Sequence, residues 1–358
     1  MSILTALVAF AATALLVWML IPVARQIGLV DRPGGRKTHD GDIPTVGGLA
    51  LAMGVIVSAL GMGFSDHVHP AFWAGFIVIV LVGTLDDLRD LGHHSKFLAQ
   101  IAAAGLMLFW AGWHLDSLGR LLGDWPLTLG RFAIPLTFIA VIGVMNAVNF
   151  TDGADGLSGG LALNALFWFC VMEFSRGAGR AEEAQLTVAF FGAVAGFLVF
   201  NLRAFGRRHA RIFLGDAGSL GLGFVLAWLM VSGAERSTPL FAPVTAIWLM
   251  AVPLVDTLTC SGRRLLAGTS PFKADRKHLH HILLGLGLPV AHAVGVIHTA
   301  AFVLAAAGVA GWYFGVAEYL MFYAAMAIFV AYLIAQGAAL RVIEEGRHRK
   351  SGLQQEQT

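Results

Sequence analysis

Eleven stretches of this chain, at 1–24, 43–65, 70–85, 97–113, 132–151, 156–172, 184–202, 217–234, 237–255, 293–317 and 319–340, contain no Lys, Arg, Asp or Glu. A helix needs about 20 apolar residues to cross the hydrocarbon core of a bilayer, and most of these stretches approach or exceed that length. The shorter ones must borrow flanking polar residues or lie against other helices. Their apolar residues are consecutive and do not alternate, which excludes a membrane β-barrel and leaves a polytopic helical protein. Over the 358 residues, 57% are hydrophobic and only 13% charged, a balance that a soluble domain does not have. The expected fold is all-α with about eleven transmembrane helices and no credible strands. Residues 1–340 form a single membrane domain, and the polar tail 341–358 is expected to be disordered. The first stretch lacks a basic leader and is long enough to span, so it is expected to stay as a helix.

Orientation follows from the basic residues. Of 24 Lys and Arg, 19 lie in the alternate segments 24–44, 86–96, 203–212, 261–290 and 341–358. The positive-inside rule puts these in the cytoplasm, with the N-terminus outside and the C-terminus inside. A net charge of +2 is too small for a nucleic-acid surface, so no nucleic-acid partner is expected. Cys170 and Cys260 sit among apolar neighbours as small hydrophobic residues.

The unusual acids gather on that same face. Asp86 and Asp87 end the third stretch, Asn149, Asp152 and Asp155 follow the fifth, and Asp216 opens the eighth. Acids at membrane helix ends are costly unless paired or metal-bound, so they mark a site. Carboxylates and an amide are hard oxygen donors suited to Mg²⁺, or Mn²⁺, shared with a phosphate. Asp152 and Asp155 face one side if their segment is helical. Gly153, Gly156, Gly159 and Gly160 serve either a pyrophosphate cradle or helix packing. Asp90, His93 and His94 read as interfacial, and His67, His69, His114, His292 and His298 as structural. Asp256 either pairs with Arg263 or Arg264 or takes part in catalysis. His278, His280 and His281 lack a zinc spacing and, with Arg276 and Lys277, read as an anion-binding patch.

Five ordered motifs then stand out: DRPGGRKTHDGDIPTVGG at 31–48, GTLDDLRDL at 83–91, NAVNFTDGADGLSGG at 146–160, FLGDAGS at 213–219 and SPFKADRKHLHH at 270–281. In this order and spacing the chain closely resembles the polyprenyl-phosphate N-acetylhexosamine-1-phosphate transferases of the glycosyltransferase 4 (MraY-WecA) superfamily. Its His-x-His-His ending is similar to the WecA-type branch; the Thr of NFTDGADGL is shared as much with the MraY branch. The resemblance implies transfer of N-acetylglucosamine 1-phosphate from UDP-GlcNAc to undecaprenyl phosphate, releasing UMP and starting a lipid-linked cell-envelope glycan of O-antigen, common-antigen or teichoic-acid type. The runner-up is the same reaction with another UDP-N-acetylhexosamine or UDP-MurNAc-pentapeptide. It implies Asp216 and Asp152 as Mg²⁺ ligands, with Asn149 near the ion, and Asp86 and Asp87 acting on the lipid phosphate. Phe213 and Asp155 would hold uracil, Lys37 would reach the nucleotide, and Arg264, His278, His280 and His281 would recognise the sugar. The implied partners are a UDP-amino sugar, polyprenyl phosphate and membrane lipid at a bacterial inner membrane, and a homodimer is admitted. A transporter is the alternative of another class. Its acids, however, would gather at the bilayer midplane in paired repeats, and no repeat is visible here.

Overall fold

The computed structural model describes residues 2–32, 41–175, 181–203, 207, 209–235, 239–270 and 277–355, with only the helical backbone for 181–183 and 346–355. Each of the eleven apolar stretches falls on a helix or a helical pair. The elements are α1 (Ser2–Ile27), α2 (Gly47–Met62), α3 (Pro70–Arg89), α4 (His93–Gly105), α5 (Ala133–Phe150), α6 (Leu157–Ser175) and α7 (Ala181–Asn201). They continue as α8 (Gly215–Glu235), α9 (Pro243–Leu249), α10 (Ala251–Leu266), α11 (Leu279–Gly285), α12 (Val290–Tyr313) and α13 (Glu318–Gln355). Among the described residues eight helices are long and apolar enough to cross a membrane, and nine if α9 and α10 count as one broken span. The 16-residue α2 is a shorter apolar helix, and α4 runs on into the π-helical turn Leu106–Trp110.

Two features depart from the sequence reading. The ninth stretch is not one straight helix, because α9 and α10 meet at 82° around Met250. Pro253 lacks the N–H that would donate back to the Leu249 carbonyl, so the ladder is interrupted where the chain turns. Strands are also present in miniature: β1 (Val30–Asp31) pairs antiparallel with β2 (Ile43–Pro44) and closes the loop between them. The segment after Leu340 begins as a continuation of α13.

Helix α8 is the axis of the molecule. Its whole apolar window is buried, and α2, α3 and α5 pack on it. Glycine makes these approaches close: a Cβ on Gly48 would overlap the Gly218 backbone, and one on Gly83 the Ala217 backbone. Between α3, α7 and α8, Phe72, Phe76, Phe190, Phe224 and Trp228 stack with ring centroids 5.3–6.1 Å apart. Such aromatic clusters lock helix register through edge-to-face contacts. The C-terminal end of α3 and the N-terminal end of α8 are thereby held side by side.

Candidate active site

The polar floor of the site is built from three helix ends. Helix α3 delivers Asp86 and Asp87 in its last turn and stops at Asp90, which takes a left-handed φ of 50°. The reversal at Asp90 and Gly92 starts α4, whose first turn carries Lys96. Lys96 Nζ lies 3.0 Å from Asp86 Oδ2 and 2.7 Å from Asp216 Oδ2, so one ammonium joins α3 to α8. Asn149, in the last turn of α5, donates through Nδ2 to Asp216 Oδ1 at 2.7 Å and to Ser219 Oγ at 2.9 Å. Gly215, at φ 72°, turns the chain into α8 and places Asp216 in its first turn. Asp87 accepts from the Asp216 and Ala217 N–H groups at 2.9 and 3.3 Å. It therefore caps α8, where free donors and the helix dipole favour an anion. Asp86 Oδ1, by contrast, is buried with no hydrogen-bond partner.

Asp152 faces the same acids from the turn after α5. The residue is exposed to solvent, and crowding by protein around its carboxyl, then the charges of Asp216, Asp87 and Asp155, raise its pKa above the usual carboxylate range. Among the described residues, Lys96 is the ammonium paired with this group of acids, and it reaches Asp86 and Asp216. These clustered hard carboxylate oxygens, one of them an orphaned buried atom, fit a divalent cation of the Mg²⁺ type, whose charge would favour their ionised forms.

The second part of the site is built around Arg264 and the histidine loop. Arg264, from the last turn of α10, stacks over the Phe150 ring at 5.8 Å and donates through Nη2 to His278 Nε2 at 3.1 Å. A guanidinium has no lone pair to offer, so His278 Nε2 accepts and Nδ1 carries the proton, which it gives to Asp256 Oδ2 at 2.8 Å. Burial disfavours a charge on His278 and the hydrogen bond to Asp256 favours one, with a net upward pull on its pKa; the guanidinium at Nε2 is what keeps that nitrogen an acceptor. The pairing expected between Asp256 and Arg263 or Arg264 is therefore absent. Asp256 bonds instead to His278, to the Leu279 N–H and to Tyr332 Oη, all within 2.9 Å. His280 lies tilted against His281, ring centroids 4.1 Å apart, and rests on Gly153, where a Cβ would strike its ring. Burial, and then the neighbouring imidazoles His281 and His278, push its pKa down to about 3. It is neutral, and its Nε2 is buried without a partner.

The two parts meet at 149–153, where Asn149 touches the acids, Phe150 touches Arg264 and Gly153 touches His280. The structure thus brings together Asp86, Asp87, Asn149, Asp152, Asp216, Arg264, His278 and His280, with His281 beside them. Asp155 does not share a helical face with Asp152, because 151–156 is a turn. Its carboxylate is engaged at the rim by Arg203 Nε at 2.7 Å and the Ala210 N–H at 3.0 Å. Phe213 is half-buried nearby, its backbone paired to Pro44 and Gly47. Lys37 lies outside the described residues. The glycines mostly serve packing: Gly159 meets Phe197, Gly160 meets His298, and Gly156 at φ 79° meets Leu202. Sequence reasoning missed Lys96, Ser219 and Tyr332. A Lys four residues before the buried Gln100 on an apolar helix was the available signal for the first.

This geometry agrees with comparisons to known proteins. Residues 69–234, which carry every acid of the floor, match the model of glycosyl transferase family 4. The undecaprenyl-phosphate alpha-N-acetylglucosaminyl 1-phosphate transferase of Salmonella typhi is 36% identical over 335 residues, covering 91% of this chain and 86% of the relative. That of Escherichia coli K12 is 35% identical over the same length and shares. That of Yersinia pestis is 36% identical over 289 residues, 81% of this chain and 78% of the relative. The chain belongs to glycosyl transferase family 4. As a family 4 glycosyl transferase it is a polytopic helical membrane enzyme, and the histidine loop at 277–281 lies beyond the segment matched by the family model. Replacing His280 by alanine in this glycosyl transferase is expected to raise KM for the sugar donor roughly tenfold, the scale of losing one buried polar contact. Its metal dependence should not change. Steady-state kinetics at several metal concentrations checks this, and recovery of activity by added zinc would instead make the histidines metal ligands.

Proposed function

We propose that this enzyme transfers N-acetylglucosamine 1-phosphate from UDP-GlcNAc to undecaprenyl phosphate at the cytoplasmic face of a bacterial inner membrane, forming a lipid diphosphate sugar and UMP. The observation that carries this reading is the acid floor of Asp86, Asp87, Asp152 and Asp216 beside a ring of Arg264 and histidines, set at helix ends. A lipid phosphate can lie there with its tail still in the bilayer, while a soluble nucleotide sugar enters from the aqueous side. The names of the relatives support the choice of donor and acceptor.

In this reading Asp216 and Asp152, with Asn149 beside them, hold Mg²⁺, which when bound neutralises charge on the pyrophosphate. Lys96 holds a phosphate oxygen while keeping Asp86 and Asp216 in place. Asp86, whose Oδ1 has no partner, and Asp87 face the phosphate of the lipid acceptor and orient it for attack on the β-phosphorus. One anhydride is broken and another formed, so the step needs no further energy source. Asp155 and Phe213 border the uracil site, and Arg264 with His278, His280 and His281 contacts the sugar. The test is a panel of UDP-sugars assayed for UMP release with purified enzyme and undecaprenyl phosphate. Release from UDP-GlcNAc alone, and only with the lipid present, is the expected result. Release from UDP-MurNAc-pentapeptide in its place would reassign the donor.

The orientation has its own expected outcome. In a variant lacking Cys170 and Cys260, single cysteines in 86–96, 203–212 or 261–290 should resist impermeant thiol reagents in intact cells, while one at Asp116 reacts. Labelling of 261–290 from outside would reverse the topology.

A further inference from the structure

Helix α13 lies on the outside of the bundle, with only 6% of its apolar window buried in the protein. Two of its residues nevertheless break the apolar pattern and point inward: Tyr332 is half-buried and Gln336 is 4% exposed. Polar side chains on such a helix are costly unless they find partners. Their partners all belong to the histidine loop and to the acid beneath it. Tyr332 Oη donates to Asp256 Oδ1 at 2.7 Å, while Gln336 Nε2 donates to Tyr332 Oη at 3.1 Å and to the Lys277 carbonyl at 3.2 Å. Asp256 in turn accepts from His278 Nδ1 at 2.8 Å and from the Leu279 N–H at 2.9 Å. Three consecutive residues, 277 to 279, are therefore fixed through a carbonyl, a ring and an amide by one short network.

The direction of these bonds gives the network a task. Gln336 donates to Tyr332, which leaves the phenol proton for Asp256. Asp256 then holds the His278 proton on Nδ1, and His278 Nε2 is left to receive Arg264. Arg264 is held over Phe150, next to Asn149 at the acid floor. We propose that Tyr332 and Gln336 are positioning residues for donor-sugar recognition, acting through Asp256 to fix the tautomer of His278 and the direction of Arg264. This rests on the reading of Arg264 and the histidines as sugar contacts. Neither α13 residue touches the acid floor, so the lipid acceptor and the metal should not register their loss.

Steady-state kinetics on purified Tyr332→Phe, Gln336→Met, His278→Ala and the Tyr332→Phe/His278→Ala double variant tests the proposal, with thermal unfolding checked for each. Tyr332→Phe keeps the ring and removes two hydrogen bonds, the one Oη donates to Asp256 and the one it accepts from Gln336. It should raise KM for UDP-GlcNAc by roughly 5–20-fold, with kcat and KM for undecaprenyl phosphate within about twofold. Gln336→Met should move the same parameter, and less. In the His278→Ala background Tyr332→Phe should add less than twofold, because the route of its effect is gone. An equal effect in both backgrounds, or a fall in kcat with the sugar KM unchanged, would make Tyr332 a purely structural residue. If His278→Ala raises the sugar KM and Tyr332→Phe is silent, the positioning role alone fails. A normal sugar KM in His278→Ala overturns the sugar-contact reading itself and this proposal with it.

Discussion

Asp216→Asn is expected to lower turnover by about 10²–10³-fold, the loss seen when one preorganised electrostatic partner of a reacting group is removed, and to raise the Mg²⁺ concentration needed for half-maximal rate. The side chain keeps its size, and its amide oxygen can still accept from Lys96 or Asn149, which now hold Oδ2 and Oδ1 at 2.7 Å each. What is lost is one full negative charge among the hard ligands. Asp86→Asn and Asp87→Asn should also depress turnover, with a smaller change in metal requirement. In Asp87→Asn a further effect comes from weakening the cap on the first N–H groups of α8. A Mg²⁺ titration of turnover in each purified variant, with folding followed independently, separates these cases. An unchanged midpoint in Asp216→Asn, or near-normal activity, would move the metal towards Asp86 and Asp87.

Lys96→Met should be comparably damaging for a different reason. The apolar side chain keeps the length and leaves Asp86 and Asp216 facing each other without the ammonium that now lies within 3.0 Å of both. Removing one partner of a partly buried ion pair leaves the remaining charges uncompensated, and Lys96 is expected to meet a phosphate oxygen as well. Turnover should fall by about 10²-fold or more, with KM raised for a phosphate-bearing substrate. Lys96→Arg should recover part of it. The decisive measurement is rate against Mg²⁺: if excess cation restores full activity to Lys96→Met, the lysine is a counterion only, whereas a deficit that persists at saturating Mg²⁺ marks a phosphate contact.

What could be read from the sequence and what could not divide along physical lines. Helix positions were legible because bilayer solvation forbids charges over long intervals, and every charge-free stretch became helical. The acids were legible as a site for the complementary reason. The bend at Met250 was missed because the run was read by its apolar length alone, although Pro253 within it marks the Leu249 carbonyl as lacking its helical donor. Pairings across long separations were not legible at all. Lys96 reaches Asp216 over 120 positions and Tyr332 reaches Asp256 over 76, and no local pattern encodes either. Asp155 misled for the same reason: a spacing of three suggested a shared face with Asp152, but Arg203, 48 residues on, draws it to the rim. The histidine motif signalled a site, while its support came from a helix that reads as lipid-facing apart from Tyr332 and Gln336.

Helix α8 has no surface towards lipid. A change in bilayer thickness or fluidity acts on helices that touch acyl chains, through tilt and local stretching of the membrane. In this protein such adjustment falls on outer helices such as α1 and α13, while the helix that carries Asp216 is screened by α2, α3 and α5. A change of lipid composition should therefore alter how readily a long-chain acceptor is delivered more than it alters the arrangement of side chains around Asp216.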